Sequence, residues 1–209
     1  MATKTLLTPT TDEWIVLFEN VSNFVVQYLH IVNLDKDYSA NIALALIDTT
    51  LDYINNPSGL IINPVGGVGS TRYDYMVTAL NAYGETGPSN QLTIVTAPAI
   101  LDESNYHTLS WAPVTGALKY RVYCTVGSSV YVKEVTAPTA TVNNDGTWVL
   151  GSNPPWLNMT QVVSILLYEQ LSPSSLLQMN MEVELTSLER LMFATTNSLI
   201  SLYARGSSI

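Results

Sequence analysis

The side chains that could do chemistry in this sequence are few and lie far apart along the chain. Its two histidines are His30, inside an apolar run, and His107, directly before a predicted strand. A nucleophile elbow of the form G-x-S-x-G, which would give such a base its serine, is absent. Cys124 alternates with Tyr120 and Val122, a pattern typical of a small core residue rather than a nucleophile. We interpret these residues as structural, and we predict no catalytic residue and no enzymatic activity.

Two short stretches begin like ligand-binding loops. DKDYS at 35–39 opens like a calcium loop, but Ala40 and Leu46 stand where that loop needs a glycine and a bidentate glutamate. GGVG at 66–69 lacks both the Lys-Ser/Thr pair and the helix of a phosphate-binding loop. We interpret both stretches as turns, and we expect no metal and no cofactor.

The composition argues against two classes of partner. Charged residues make up 12% of the chain, against about 25% in an average protein, and the formal net charge is −9. No cluster of Lys and Arg could neutralise several phosphates, so we expect no nucleic-acid partner. No apolar run approaches the ~18 residues of a membrane span, and the first residues do not resemble a signal peptide. We therefore expect no membrane partner and synthesis in a host cytoplasm.

The elements that must position these residues are predicted to be strands. Runs rich in Val, Ile, Tyr, Thr and Trp are each closed by Gly, Pro, Asn, Asp or Ser, which predicts an all-β fold. In the C-terminal part Leu, Met and Glu favour helices, but residues 178–185 alternate with a period of two, which favours a strand. The clearest predicted strands are 14–18, 24–34, 41–48, 73–81, 90–97, 108–113, 119–126 and 130–135.

Two proline-rich breaks, NNPSG at 55–59 and GSNPPW at 151–156, indicate the domain organisation. Neither end of the chain has enough strands to close a stable sandwich alone. We therefore predict that residues 1–56 and 152–209 form one discontinuous β-sandwich, with residues 57–151 inserted as a second domain in one of its loops. Three sequential units are the alternative.

The central part resembles a fibronectin type III domain. YDYMVTALNAYGETGPSN at 73–90 is similar to the closing hairpin of that immunoglobulin-like sandwich, with Tyr73 at the place of its tyrosine corner. TLSWAPVTGALKYRVYCTVGSSVYVKEV at 108–135 is similar to its early strands, so the strand order is permuted. The resemblance implies that the core of the inserted domain contains Tyr73, Tyr75, Val77, Leu109, Trp111, Tyr120 and Val122.

The outer parts resemble a small β-sandwich that recurs in structural proteins of tailed bacteriophages. The stretches that carry the likeness are WIVLFENVSNFVVQYLHIVNLDKDYSANIALALID and LERLMFATTNSLISLYARGSSI. Asn33, Asp48, Asn197-Ser198 and Gly206 fall in matching places, whereas VSN and Leu188-Glu189 depart from the usual pattern. This resemblance implies a virion component.

Together the two resemblances imply a non-enzymatic structural protein in the neck or collar, the tail or the capsid decoration of a phage particle. We expect it to form homo-oligomers, to dock on other virion proteins and to project its immunoglobulin-like module. Trp14, Trp148 and Trp156 lie near loops or junctions and are the predicted interface anchors. The alternative is a carbohydrate-binding adhesin module, in which aromatic faces make weak contacts with host glycans.

Overall fold

A computed structural model describes residues 2–7, 13–19, 24–185 and 189–208. All regular elements in these ranges are β-strands paired in antiparallel sheets, which confirms the predicted all-β class. Within the same ranges no helix is long and apolar enough to cross a membrane. The strands, in chain order, are β1 Ala2–Leu7, β2 Ile15–Phe18, β3 Phe24–Asn33, β4 Ala40–Asp48, β5 Ile61–Val65, β6 Thr71–Leu80, β7 Leu92–Ala97, β8 Tyr106–Ser110, β9 Lys119–Val126, β10 Ser129–Val135, β11 Thr139–Val142, β12 Val149–Gly151, β13 Val162–Leu171, β14 Leu176–Leu185, β15 Glu189–Thr195 and β16 Ile200–Ser208.

Internal contacts divide the chain into two compact units. The first unit comprises residues 1–51 and 161–209, and the second comprises residues 52–160. The sequence-based boundaries, 56/57 and 151/152, therefore need correction to 51/52 and 160/161. The reason is local packing within the second unit.

Residues on both flanks of the second unit belong to its own core and hydrogen-bond network. The side chain of Ile54 is buried in that core. Its carbonyl oxygen accepts a hydrogen bond from Asn158 Nδ2 at 2.8 Å, and its N–H donates to Thr160 Oγ1 at 3.4 Å. The proline-rich breaks thus lie inside the second unit rather than at its ends.

The first unit is built from both ends of the chain. Its sheets have the strand orders β1-β16-β3-β14 and β13-β4-β15-β2. Leu202 on β16 lies opposite Ile31 on β3, and Phe193 on β15 lies opposite Leu44 on β4. These four side chains are fully buried in one apolar core, because the alternation of each strand turns its Leu, Ile and Phe residues to the same side.

The second unit is also made of two antiparallel sheets. They have the strand orders β12-β10-β9-β6-β7 and β11-β8-β5. One buried cluster joins them. That cluster contains all seven side chains predicted for the core of this domain, namely Tyr73, Tyr75, Val77, Leu109, Trp111, Tyr120 and Val122.

Candidate interaction surface

The two histidines lie in different units, His30 on β3 and His107 on β8. His107 is 1% exposed, and its Nδ1 atom is hydrogen-bonded to the Tyr75 hydroxyl at 2.7 Å. The edges of its ring contact the rings of Tyr73 and Tyr75. Burial lowers the pKa of His107, so that the neutral imidazole is favoured. The residue acts as a polar link inside a core.

Cys124 is buried beside this cluster. Burial raises the pKa of its thiol to about 11, so the thiolate that a nucleophile needs is scarce near neutral pH. Burial likewise raises the pKa of Tyr75 well above its ordinary value. In the part of the chain that the structure describes, no group of three or more His, Cys, Asp and Glu residues could hold a metal ion.

A cluster of charged residues on the second unit forms several ion pairs. Arg121 on β9 pairs with Glu85, and it pairs with Glu134 on β10 at 2.6 Å. Lys119 also pairs with Glu134 at 2.6 Å, and these contacts lower the pKa of Glu134, that with Lys119 most. Each of these charged groups therefore lies beside a partner of opposite charge, as in a structural salt-bridge network.

A different feature is found where β3 ends in the first unit. Asn33 is fully buried, and its Nδ2 group donates to the carbonyl oxygens of Tyr38 at 3.0 Å and Ser172 at 3.1 Å, with a longer contact to Leu171 at 3.4 Å. Its Oδ1 atom accepts from the Asp35 N–H at 3.1 Å. A single buried amide therefore joins the β3–β4 turn to the segment between β13 and β14.

Asp35 extends the same network. Its Oδ1 atom accepts from the N–H groups of Asp37 at 2.9 Å and Tyr38 at 3.1 Å, and its Oδ2 atom accepts from Asn197 Nδ2 at 3.1 Å. These hydrogen bonds, that from Asp37 first, lower the pKa of Asp35. Oδ1 of the first acidic residue of DKDYS thus holds a turn, as the sequence interpretation expects, and Oδ2 joins that turn to the segment that contains Asn197.

Backbone hydrogen bonds complete a frame of three segments, residues 33–39, 172–176 and 196–199, which we call the loop end. The Ser174 N–H donates to the Asp35 carbonyl oxygen at 2.8 Å. The Leu34 N–H donates to the Leu199 carbonyl oxygen at 2.8 Å. Each segment of the loop end is therefore hydrogen-bonded to another one, although the three segments come from distant parts of the chain.

Large apolar side chains project from this frame into solvent. Leu34 is 54% exposed, Tyr38 71%, and Leu199 44%. Leu176, the last residue of the second segment, is 54% exposed. Single exposed apolar residues are ordinary, but four on one ordered set of loops are typical of an interaction surface.

The three predicted interface anchors are not among these exposed side chains. Trp14, Trp148 and Trp156 are all half-buried. Trp148 lies under Lys133, whose Nζ atom is 5.7 Å from the centre of the indole ring. The four apolar side chains of the loop end were not among the predicted anchors, because the sequence predicts strand alternation but not which strand-end side chain meets solvent.

No family model, no curated protein and no solved structure matches the chain.

Proposed function

We propose that the protein is a non-enzymatic structural component of a tailed-bacteriophage particle. In this proposal it assembles with other virion proteins and with copies of itself through the loop end of its first unit. The observation that carries the proposal is the exposure of Leu34, Tyr38, Leu176 and Leu199 on a hydrogen-bonded frame.

The positions shared with the phage sandwich support the proposal. Asn33 and Asn197, two of the matching places, are residues that hold the loop end together. Two residues that match the phage pattern therefore support the loop segments from which the apolar side chains project.

The second unit supports the fibronectin type III part of the proposal. It is a two-sheet antiparallel sandwich, and the seven core side chains implied by that resemblance are buried in it. Tyr73 departs from the usual corner, because its hydroxyl donates to the carbonyl oxygens of Pro98 at 3.1 Å and Ala99 at 3.2 Å, downstream rather than upstream. The hydroxyl still joins the start of β6 to the segment that follows β7.

Assembly through the loop end follows from ordinary interface energetics. Burying the exposed half of one leucine is worth about 1 kcal/mol, so three leucines and a tyrosine supply a modest but useful gain. The frame is already ordered, so little conformational entropy is lost on binding. Repetition of the contact around a symmetric ring then makes weak sites collectively strong.

The first test measures self-association by analytical ultracentrifugation. We expect the protein to form a concentration-dependent oligomer and Leu34→Ser combined with Leu199→Ser to weaken it by about tenfold or more. The matched control is Val95→Ser combined with Leu118→Ser, because those side chains are 58% and 65% exposed on the second unit. If the two double variants self-associate equally strongly, the loop end is not the interface.

The second test addresses the particle. We expect the chain to be detected by mass spectrometry in purified virions and to occupy a symmetric site in their electron-microscopy map, with the loop end against a neighbouring subunit. Absence of the chain from purified particles would overturn the proposed virion role.

A further inference from the structure

The second unit is inserted in the connection between two paired strands of the first. β4 and β13 are antiparallel neighbours, and the chain between them contains the whole second unit, residues 52–160. In the first unit, the Gln161 side chain donates to the Leu51 carbonyl oxygen at 2.7 Å. The entropy cost of closing a flexible loop increases with its length, so the pairing of β4 with β13 depends on whether the ends of the second unit are held together.

The side chain of Asn81, directly after β6, holds both ends of the second unit. Its Nδ2 atom donates to the carbonyl oxygen of Asp52, the first residue of the unit, at 2.7 Å. The same atom has a longer contact of 3.4 Å with the carbonyl oxygen of Thr160, the last residue. The Asn81 Oδ1 atom accepts from the N–H groups of Tyr83 and Gly84, both at 2.9 Å, which fixes the orientation of the amide. One amide therefore bridges the two ends.

The backbone of the same turn adds a second link. The Met159 N–H donates to the Glu85 carbonyl oxygen at 2.8 Å. Gly84 lies so close to this segment that a Cβ atom at its place would be 2.3 Å from the Met159 carbonyl oxygen. Only glycine, which has no Cβ atom, permits this approach without a shift of the backbone. We call residues 81–85 the clasp.

The clasp is anchored to the larger sheet of the second unit through the Glu85 side chain. The Glu85 carboxylate accepts from the Thr78 hydroxyl on β6 at 2.6 Å and from the Tyr123 hydroxyl on β9 at 2.5 Å, and it pairs with Arg121. Thr78 and Tyr123 are buried, so these hydrogen bonds require that β6 and β9 are paired. The clasp therefore forms only when the second unit is folded.

We propose that the clasp couples the stability of the two units. While the second unit is folded, its clasped ends make the β4–β13 connection equivalent to a short turn. When the second unit unfolds, the same connection becomes a long flexible loop, and the pairing of β4 with β13 is weakened. The coupling is reciprocal, so the folded first unit equally opposes unfolding of the second. This inference concerns the folding of the chain and does not rest on the proposed assembly role.

The first test unfolds the second unit within the full chain. Val122→Asp places a charge in the buried core of that unit and is expected to unfold it. Hydrogen exchange followed by mass spectrometry checks this unfolding and reports on the first unit. We expect peptides of β4, β13 and β15 to exchange about a hundredfold faster than in the unsubstituted chain, the factor given by lengthening a loop from a few residues to the whole unit.

The matched control for this substitution is Val95→Asp, because Val95 is 58% exposed in the same unit. It adds the same charge without unfolding the second unit, and we expect unchanged exchange in the first. If Val122→Asp unfolds the second unit but exchange in the first unit stays as slow as in the control, the proposal is wrong.

A disulfide separates loop closure from the other effects of unfolding. Asp52→Cys and Thr160→Cys are added to the chain with the unfolded second unit, together with Cys124→Ser so that no third thiol competes. The neighbouring residues Leu51 and Gln161 are hydrogen-bonded, so the two new thiols can meet. Oxidation joins the ends without refolding the unit, and we expect it to restore most of the slow exchange of the first unit. Equal exchange of the oxidised and reduced forms would overturn the coupling through the ends.

Gly84→Ala tests the clasp itself. The added methyl group should displace Met159, so that peptides of residues 156–160 exchange faster. A smaller effect, about threefold, is expected on β4 and β13, since the effective loop is lengthened by only a few residues. The ends are still held further inside the unit, where Asn158 Nδ2 donates to the Ile54 carbonyl oxygen at 2.8 Å.

Gly67→Ala is the matched control for the clasp variant. A Cβ atom at Gly67 would lie 3.5 Å from Asn105 Oδ1, which is an ordinary contact, so this glycine is replaced without displacement. We expect residues 156–160 to exchange as in the unsubstituted chain. If the two glycine variants exchange equally in that segment, the clasp does not hold the ends, which contradicts the proposal.

Discussion

The two units have the same architecture but differ in how their cores are held. The first unit has a mainly aliphatic core, and among its side chains whose burial is described the buried cluster contains the aromatic residues Phe18 and Phe193. The second buries three tyrosines and one tryptophan in the corresponding place. Several of those aromatic residues also bond to polar groups. Tyr75 bonds to His107, and the Tyr120 hydroxyl accepts from the Val114 N–H at 2.9 Å.

This difference indicates two ways in which a sequence can specify one β-sandwich structure. The first unit depends on apolar burial between strands that are remote in the sequence, so it requires both chain ends together. The second unit is a continuous segment, and its buried hydroxyls fix the register of strands and loops. We therefore expect the two units to respond differently to substitutions and to pH.

The largest expected effect comes from Phe193→Ala. Phe193 is fully buried in the aliphatic core, and its truncation should cost about 3–5 kcal/mol of the free energy of unfolding of the first unit. Hydrogen exchange followed by mass spectrometry should show faster exchange in β3, β4, β15 and β16. Peptides from β6 and β9 serve as the internal control, and equal acceleration there would show that the units do not unfold separately.

A smaller effect is expected from Asn33→Ala. The substitution leaves carbonyl oxygens of the loop end without their buried donor, which should cost about 1–3 kcal/mol. Chemical denaturation measures this loss, and the same variant should weaken self-association because the frame is loosened. Asn41→Ala is the comparison, since no side-chain hydrogen bond of Asn41 is identified in the described residues. Equal stability of the two variants would contradict the role given to Asn33.

The smallest expected effect is a dependence on pH that separates the units. Burial lowers the pKa of His107 below its ordinary value of 6.5, so the unfolded chain binds a proton before the folded chain does. The stability of the second unit should therefore decrease as pH falls below 6.5. In the first unit the pKa of Asp35 is lowered from 3.8, so the corresponding loss should begin only in stronger acid.

Hydrogen exchange at pH 7.5 and pH 5.5 checks this contrast. We expect the second unit to exchange relatively faster at the lower pH, after correction for the intrinsic rate, and His107→Gln to reduce the difference. A pH effect of the same size in that variant would assign the dependence to another group.

Much of the fold follows from patterns in the sequence. The alternation of Tyr73, Tyr75 and Val77 predicts a strand with one buried side, and the structure has both. The all-β class follows from the same patterns. Asn33 and Asn197, both singled out in the sequence, hydrogen-bond to other segments of the loop end.

Other elements escape sequence reasoning for identifiable reasons. β5 contains Pro64, which argues against a strand, but β5 is at the edge of its sheet, where a missing N–H donor is tolerated. β12 has only three residues, too few for a periodic pattern. The exposure of Leu34 and Leu199 and the contacts of the clasp with both ends of the second unit arise from loops that meet only after folding. A local sequence pattern does not predict which loops come into contact in the folded chain.

The place where the first unit is interrupted has a practical consequence. β4 and β13 are antiparallel neighbours, with Val162 opposite Ile47, and the Gln161 side chain donates to the Leu51 carbonyl oxygen at 2.7 Å. The chain thus leaves and re-enters at one point, where a plain hairpin turn would otherwise suffice. We therefore expect that another domain can replace the inserted one at this point, in evolution or in the laboratory, without changing the strand register of the first unit. The first unit would then serve as a scaffold that displays the inserted domain.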